Sequence, residues 1–262
     1  MNTTPLRQIS GRRMLPAIAA GFAIAGLLAK PVPAAESGGV MTPGQRQAIE
    51  AIIEEYISKN PEVVVNALQA YQAEMQKEQQ RQAEAALQEV EDELLNDPQT
   101  PVAGNPKGDV TIVEFFDYNC GYCKQVMPSV QTLLETDDNI RYVFKEFPIL
   151  GPGSVMASRA ALAAWNLEPE TYLPFHMALM SSRGPLDEQQ IREIAKGIGI
   201  DPATLEAEMQ KPEIEDKLRE NIALGQRINI RGTPAFIIDG EIVPGAVSLE
   251  TLKEMVDKAR AG

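Results

Sequence analysis

VTIVEFFDYNCGYCK, residues 110–124, holds both cysteines of a 262-residue chain. Its first part is β-branched and aromatic and reads as a buried strand over 109–118. The pair Cys120-Gly121-Tyr122-Cys123 follows at once, and the pattern onward to about Thr136 is helical. A strand running straight into a helix puts Cys120 at the helix start. The free N–H groups and the positive end of the helix dipole then face its sulfur and stabilise a thiolate. Cys123 lies one turn on, placed to attack a mixed disulfide formed at Cys120 and to release the partner.

Two other uses of the pair are weaker on chemical grounds. A zinc site needs about four ligands, and the only histidine in the chain is His176, so no metal site is expected. A purely structural disulfide between residues three apart closes a tiny loop and restrains almost nothing in the unfolded chain. Redox exchange is the use that fits the position, and it needs no cofactor beyond the two thiols.

The net charge of −13 makes nucleic acid an improbable partner, because phosphate binding needs clustered Lys and Arg. At the N-terminus Arg7, Arg12 and Arg13 precede the apolar run AIAAGFAIAGLLA, and Val32-Pro33-Ala34 offers small residues for cleavage. Residues 1–34 therefore read as a signal peptide. The apolar run is shorter than the ~20 residues of a membrane span. No Cys lies near the cleavage site, so a lipid-modified N-terminus is excluded. Arg12-Arg13 invites a twin-arginine reading, but Gly11 stands where that signal has Ser or Thr, and the general export route is favoured. The expected location is the periplasm, an oxidising compartment in which thiol pairs form disulfides.

Beyond the leader, Ile49, Ile52, Ile53, Tyr56 and Ile57 recur at helical spacing within 41–57, and Asn60-Pro61 breaks that helix and starts another. The second helix carries Val64, Leu68, Tyr71 and Met75 on one stripe. Residues 76–82, QKEQQRQ, are helix-prone but contain no apolar side chain. Ala83, Ala86, Leu87, Val90 and Leu94 resume a weaker stripe before NDPQTPVAGNPKGD ends all periodicity. The spacing predicts a helical module over 35–75, a polar helical connector and linker over 76–100, and the main domain over 101–262. In that domain the strand–Cys–helix unit leads to a second strand at 139–149, parallel to the first. Helical patterns fill about 150–230. TPAFIIDGEIVPGA then reads as a hairpin turning at Asp239-Gly240, and SLETLKEMVDKA as a closing helix.

The two motifs VEFFDYNCGYCK and RGTPAFIIDG together resemble the DsbA-like branch of the thioredoxin superfamily, from about residue 100 to the C-terminus. The resemblance implies an α/β thioredoxin fold with an inserted helical domain, here preceded by an N-terminal helical oligomerisation module. It implies that Cys120 is the nucleophile and Cys123 the resolving thiol. Gly121, Tyr122, Thr233 and Pro234 would then contact the substrate, with Pro234 matching the family's cis-proline. From the residues alone Thr233-Pro234 is only a turn, since about 5–6% of X–Pro bonds are cis. Glu114 is odd in an apolar strand, because a buried carboxylate is costly unless paired or protonated. The family places an acidic residue there that relays protons for the resolving thiol. Lys145 on the next strand is a candidate partner, and an outward-facing Glu at a sheet edge is the alternative. His176 reads as a packed structural histidine, and Trp165 as core of the helical domain.

Gly121-Tyr122 between the cysteines resembles the dimeric periplasmic disulfide isomerases rather than the oxidases with Pro-His, and Thr233 agrees. A less stabilised thiolate gives a less oxidising disulfide. The helices of 41–75 cannot bury much alone, so self-association is expected, a homotrimer before a dimer. This layout resembles the suppressor-of-copper-sensitivity C proteins, exported DsbA-like isomerases on a stalk. The expected partners are unfolded or misoxidised exported proteins and a membrane thiol reductase or oxidase. The alternatives are a simple disulfide oxidase or reductase, and a copper-tolerance protein binding Cu(I) through two soft thiolates.

Overall fold

The computed structural model of the chain describes residues 41–262, so the expected leader at 1–34 lies outside the described residues. The chain divides into two compact units, one reaching Val63 and the other covering Val64–Gly262. In the first, α1 (Pro43–Lys59) starts at a capping box. Thr42 accepts from the Gln45 amide, and Gln45 accepts back from the Thr42 amide at 3.0 Å. This satisfies two N-terminal donors reciprocally. None of its residues is buried, and Ile49, Ile52, Ile53, Tyr56 and Ile57 are all exposed.

A longer helix, α2 (Glu62–Glu89), follows the Asn60-Pro61 break, then the short α3 (Glu91–Leu95). Val64, Leu68, Tyr71 and Met75 on α2 are exposed. Farther along, Leu87, Val90 and Leu94 are buried at 7%, 2% and 3% exposure.

The sheet of the second unit has the order β1-β3-β2-β4-β5, formed by β1 (Val102–Gly104), β2 (Val110–Phe116), β3 (Ile140–Glu146), β4 (Ala235–Ile238) and β5 (Glu241–Pro244). β2 and β3 pair in parallel across α4 (Gly121–Thr136), and the other pairings are antiparallel. β1 falls in the stretch where the sequence shows no periodicity; its three residues are too few to carry a pattern. The β4–β5 turn has positive φ at both Asp239 (49°) and Gly240 (72°), the conformation that a two-residue hairpin demands.

Between β3 and β4 lie α5 (Pro152–Leu167), a single 3-10 turn at Pro169–Thr171, α6 (Tyr172–Ser181), α7 (Glu188–Gly197), α8 (Pro202–Met209) and α9 (Pro212–Arg227). Prolines open α5, α8 and α9 at their first turns, where the missing N–H costs nothing. The chain closes with α10 (Leu249–Ala261), capped by Ser248, which accepts from the Thr251 amide.

Strand alternation divides the core in two. Ile112, Phe116, Ile140, Tyr142 and Phe144 join α4, α5, α6 and α10 on one face. Val113, Phe115, Val143 and Phe147 face the other way, against Leu87, Val90, Leu94, Leu224 and Ile228. The end of the connector is the cover of the second sheet face, because without Leu87, Val90 and Leu94 the central strands would be open to water. Gly225 on α9 allows this layer to close: a Cβ there would lie 2.6 Å from the Phe147 ring.

Lys145 fastens the same layer. Fully buried, it donates to the Glu93 carbonyl at 2.7 Å and Thr100 Oγ1 at 2.9 Å, and lies 3.8 Å from Asp97. Burial pushes its ammonium down to about 8. Lys217 pairs with Asp97, and Arg227 donates to both carboxylate oxygens of Glu93 at 2.8 Å. The pairing of Lys145 with Glu114 expected from sequence is not made, since residues 114 and 145 project from opposite faces of the sheet.

Leu94→Ala should destabilise the second unit by about 2–5 kcal/mol, the usual cost of emptying a buried leucine site. Urea unfolding monitored through Trp165 checks this, and a loss under about 0.5 kcal/mol would mean that α3 is not part of the core.

Candidate functional site

β2 ends in a three-residue loop, Asp117-Tyr118-Asn119, that sets Cys120 as the N-cap of α4. The buried Asp117 carboxylate organises this loop. One oxygen accepts from the Asn119 amide (2.7 Å) and Ser154 Oγ (2.6 Å), the other from the amides of Ile149 (2.8 Å) and Leu150 (2.9 Å). Its backbone oxygen accepts from the Cys120 amide at 3.0 Å. Asn119 Nδ2 adds a bond to Ser154 Oγ at 3.0 Å. The loop before the thiols is thereby zipped to the loop after β3. Sequence reasoning passed over Asp117; its signal is an Asp two residues before an Asn at a strand end, which forms a side-chain turn.

Both cysteines are free thiols. Cys120 is 6% exposed and Cys123 1%. Cys120 makes no side-chain capping bond to its own helix; instead its Sγ donates to the Thr233 carbonyl at 3.1 Å. The Thr233–Pro234 bond is cis, and the Pro234 carbonyl accepts from the Gly245 amide at 2.8 Å. The fold thus brings residues 113 positions apart into contact at the sulfur. Gly121 has open space where a Cβ would point, and Tyr122 is 66% exposed, so the surface beside Cys120 is open to a large partner. Lys124 donates to the Ser182 carbonyl at 2.6 Å, tying α4 to the end of α6.

Cys123 faces inward. Burial pushes its thiol far up, and the negative charge of Glu114 adds to the shift. Glu114 is 2% exposed on the central strand, not at an edge. Its Oε2 accepts from Tyr142 Oη at 2.7 Å. Burial pushes this carboxyl up to about 7, the Tyr142 bond opposing. A group poised near neutrality beside a thiol that resists ionisation can take up the proton the thiol must lose.

A second buried polar group lies under the same loop. Tyr118 Oη is 3.0 Å from Glu146 Oε1 and 3.0 Å from His176 Nδ1, and Tyr172 Oη donates to Glu146 Oε1 at 2.9 Å. Burial pushes Glu146 up to about 8 and His176 down to about 3. His176 is packed among Phe116, Phe144 and Tyr172 and stays neutral. Trp165 is half-buried, edge-on to Tyr172 at 6.0 Å. Sequence reasoning passed over Glu146, because its enclosure by Tyr118, Tyr172 and His176 exists only once α6 packs over β3.

The model for the DSBA-like thioredoxin domain matches residues 111–257, more than half of the chain and all of the elements that build this site. The chain belongs to the DSBA-like thioredoxin domain family. Among its relatives, disulfide bond formation protein D of Bacillus subtilis is 25% identical over 172 residues, 62% of this chain and 78% of that protein. A thioredoxin-like oxidoreductase from Silicibacter pomeroyi shares 46% identity and superposes with a TM-score of 0.62 over 65% of this chain and 98% of that one. A linker-deletion variant of Proteus mirabilis ScsC, 27% identical, superposes with a TM-score of 0.67 over 86% of this chain and 99% of its own. Sodium/proton antiporters are matched over only 24% to 26% of their length. No helix among the described residues is long and apolar enough to cross a membrane. As a member of the DsbA family, this protein is a thiol-disulfide oxidoreductase.

Two outcomes follow from the site's electrostatics. Iodoacetamide at about pH 6 should alkylate Cys120 at least tenfold faster than Cys123, read by peptide mass spectrometry; faster labelling of Cys123 would reverse the order of the two thiols. The Glu114 carboxyl, near 4.5 when unfolded and about 7 when folded, binds a proton on folding between those values. Its share of stability is full below about pH 4.5 and is lost as pH rises through about 7. Glu114→Gln should therefore lose less Tm than the parent between about pH 5 and pH 8, and parallel curves would remove Glu114 as the titrating group.

Proposed function

We propose that this oxidoreductase is an exported protein disulfide isomerase whose α1–α2 segment assembles several copies, a homotrimer first. Cys120 attacks a disulfide of a misoxidised protein: the S–S bond breaks, Cys120 Sγ bonds to one substrate sulfur, and the other leaves as a thiolate. A second thiolate of the same substrate then attacks its sulfur at the mixed disulfide and forms the new pairing, regenerating Cys120. When the substrate stalls, Cys123 gives up its proton, toward Glu114, and its sulfur displaces the substrate. That leaves a Cys120–Cys123 disulfide, which a membrane thiol reductase would return to the dithiol.

The observation that carries the isomerase reading is the surroundings of Cys120 Sγ. Its hydrogen-bond partner is a backbone carbonyl, while Gly121 brings no side chain and Tyr122 points to solvent. Among the described residues no imidazole or ammonium stabilises the thiolate there, which favours a moderate potential and a dithiol resting state. The assembly reading is supported by two further facts. The apolar stripes of α1 and of the first half of α2 are exposed, at 40–66% for Ile49, Ile52, Ile53, Tyr56, Ile57, Leu68 and Tyr71. The likeness to the ScsC variant spans 86% of the chain and so reaches well before residue 111, into those helices. Several active sites around one substrate raise the local thiol concentration without new contacts.

Deleting residues 35–75 should leave a monomer by light scattering that still equilibrates with glutathione but loses most of its refolding of scrambled ribonuclease. Full isomerase activity in that monomer would reduce the protein to a simple oxidoreductase. Replacing Gly121-Tyr122 by Pro-His should make the disulfide more oxidising, by about tenfold or more in the glutathione equilibrium constant. An unchanged constant would remove the dipeptide as the determinant.

A further inference from the structure

The polar segment 76–82 has no apolar stripe, yet it is not a break: it continues α2 as unbroken helix. A trough of about 1030 Å³ runs between this part of α2 and the loop that carries Thr233 and Pro234. Gln79, Gln80 and Gln82 stand along one wall. Its lining combines the apolar Ala83, Ile230 and Ile242 with the polar Arg227, Asn229 and Arg231. The trough opens at Thr233, whose carbonyl touches the Cys120 sulfur. A second trough of about 970 Å³ shares Gln80, Ala83 and Ile242 and continues along α2 to the Asp239-Gly240 turn. β5 beside it is an edge strand, with β4 as its single partner.

We propose that this trough binds an extended stretch of the unfolded substrate, with the glutamine face of α2 holding the substrate main chain. The proposal rests on the reading that Cys120 exchanges with protein disulfides, and it names how that substrate is held. The side-chain amides are set for the task by their own helix. Gln80 donates its NH2 group to Glu84 at 3.0 Å and Gln82 donates to Glu78 at 2.8 Å, which leaves their carbonyl oxygens to accept from peptide N–H groups. Gln79 makes no such bond among the described residues and offers both a donor and an acceptor. A carboxamide pairs with a peptide group whatever side chain that peptide carries. The apolar part of the lining accepts aliphatic and aromatic side chains without selecting among them. Together they suit a protein that must act on many unfolded partners. From Gln79 to Ala86 the helix spans roughly 10 Å, the length of about three extended residues, enough to fix the direction of a chain leaving the mixed disulfide. An apolar stripe in 76–82 would have closed the trough by packing onto the sheet, as Leu87 and Val90 do farther along the chain.

The test uses the full mature chain with Gln79, Gln80 and Gln82 all changed to Ala, which keeps helix propensity. The KM for scrambled ribonuclease should rise about tenfold, the worth of one to two hydrogen bonds, while the rate with glutathione disulfide stays within twofold of the parent. An unchanged KM overturns the proposal. A matching fall in the glutathione rate also overturns it, because the variant then acts at the sulfur and not in the trough. A parent chain that exchanges with glutathione but not with scrambled ribonuclease would instead sink the isomerase reading beneath it. Hydrogen exchange on a mixed disulfide between Cys123→Ser protein and a single-cysteine unfolded peptide gives an independent readout. Protection over 79–86 and 241–245 is expected, and protection confined to 120–123 and 233–234 excludes the trough.

Discussion

Cys123 and Glu114 share one dry compartment, and neither can carry a charge there without penalising the other. The thiol is pushed far up by burial and by the carboxylate, and the carboxyl is pushed up to about 7 by burial. Only one negative charge is tolerable at a time in such a medium. In the proposed mechanism a proton leaving Cys123 passes toward Glu114, whose carboxyl is poised to take it up. Under the proposed isomerase function the same compartment would hold Cys123 silent until a mixed disulfide forms at Cys120, and that delay would give a substrate time to rearrange.

Everything around the pair keeps the two sulfurs in unlike surroundings. α4 carries both, so its N-cap must sit beside the open surface while Cys123, on the same first turn, faces the core. Asp117 accomplishes this by gathering four donors from the loop before the helix, the loop after β3 and the first turn of α5. Thr233 closes the site from the far end of the chain with a carbonyl on the Cys120 sulfur. Beneath, Tyr118, Tyr172 and His176 surround Glu146 with hydrogen bonds and rings, so the loop rests on a polar group that is itself enclosed.

The second sheet face shows where the end of α2 joins the core of the second unit. Leu87, Val90 and Leu94 complete a core that the strands leave open, and Lys145, Lys217 and Arg227 fasten the chain just beyond them. The helix that carries the exposed stripe of Val64, Leu68 and Tyr71 thus ends with Leu87 buried in the core of the second unit. Its middle, free of apolar side chains, stands over the trough beside Thr233.

Period and position were legible in the residues. Alternating and continuous apolar runs marked β2, β3, the hairpin and the helices of the insertion, and the strand–Cys–helix junction put both thiols on the first turn of α4. The asymmetry between Cys120 and Cys123 followed from helix geometry alone. What lay beyond reach were contacts between distant segments, because they depend on which face a side chain takes and on what folds over it. Lys145 lies one strand from Glu114 yet fastens α3 on the opposite face. Asp117 and Glu146 gain their roles only when the loops and α6 close over them. The weak stripe at 87–94 becomes core only because the far face of the sheet needs a cover. Local periodicity is written in the chain, whereas burial is a property of the assembled layers, and burial decides which of these polar groups keeps its proton.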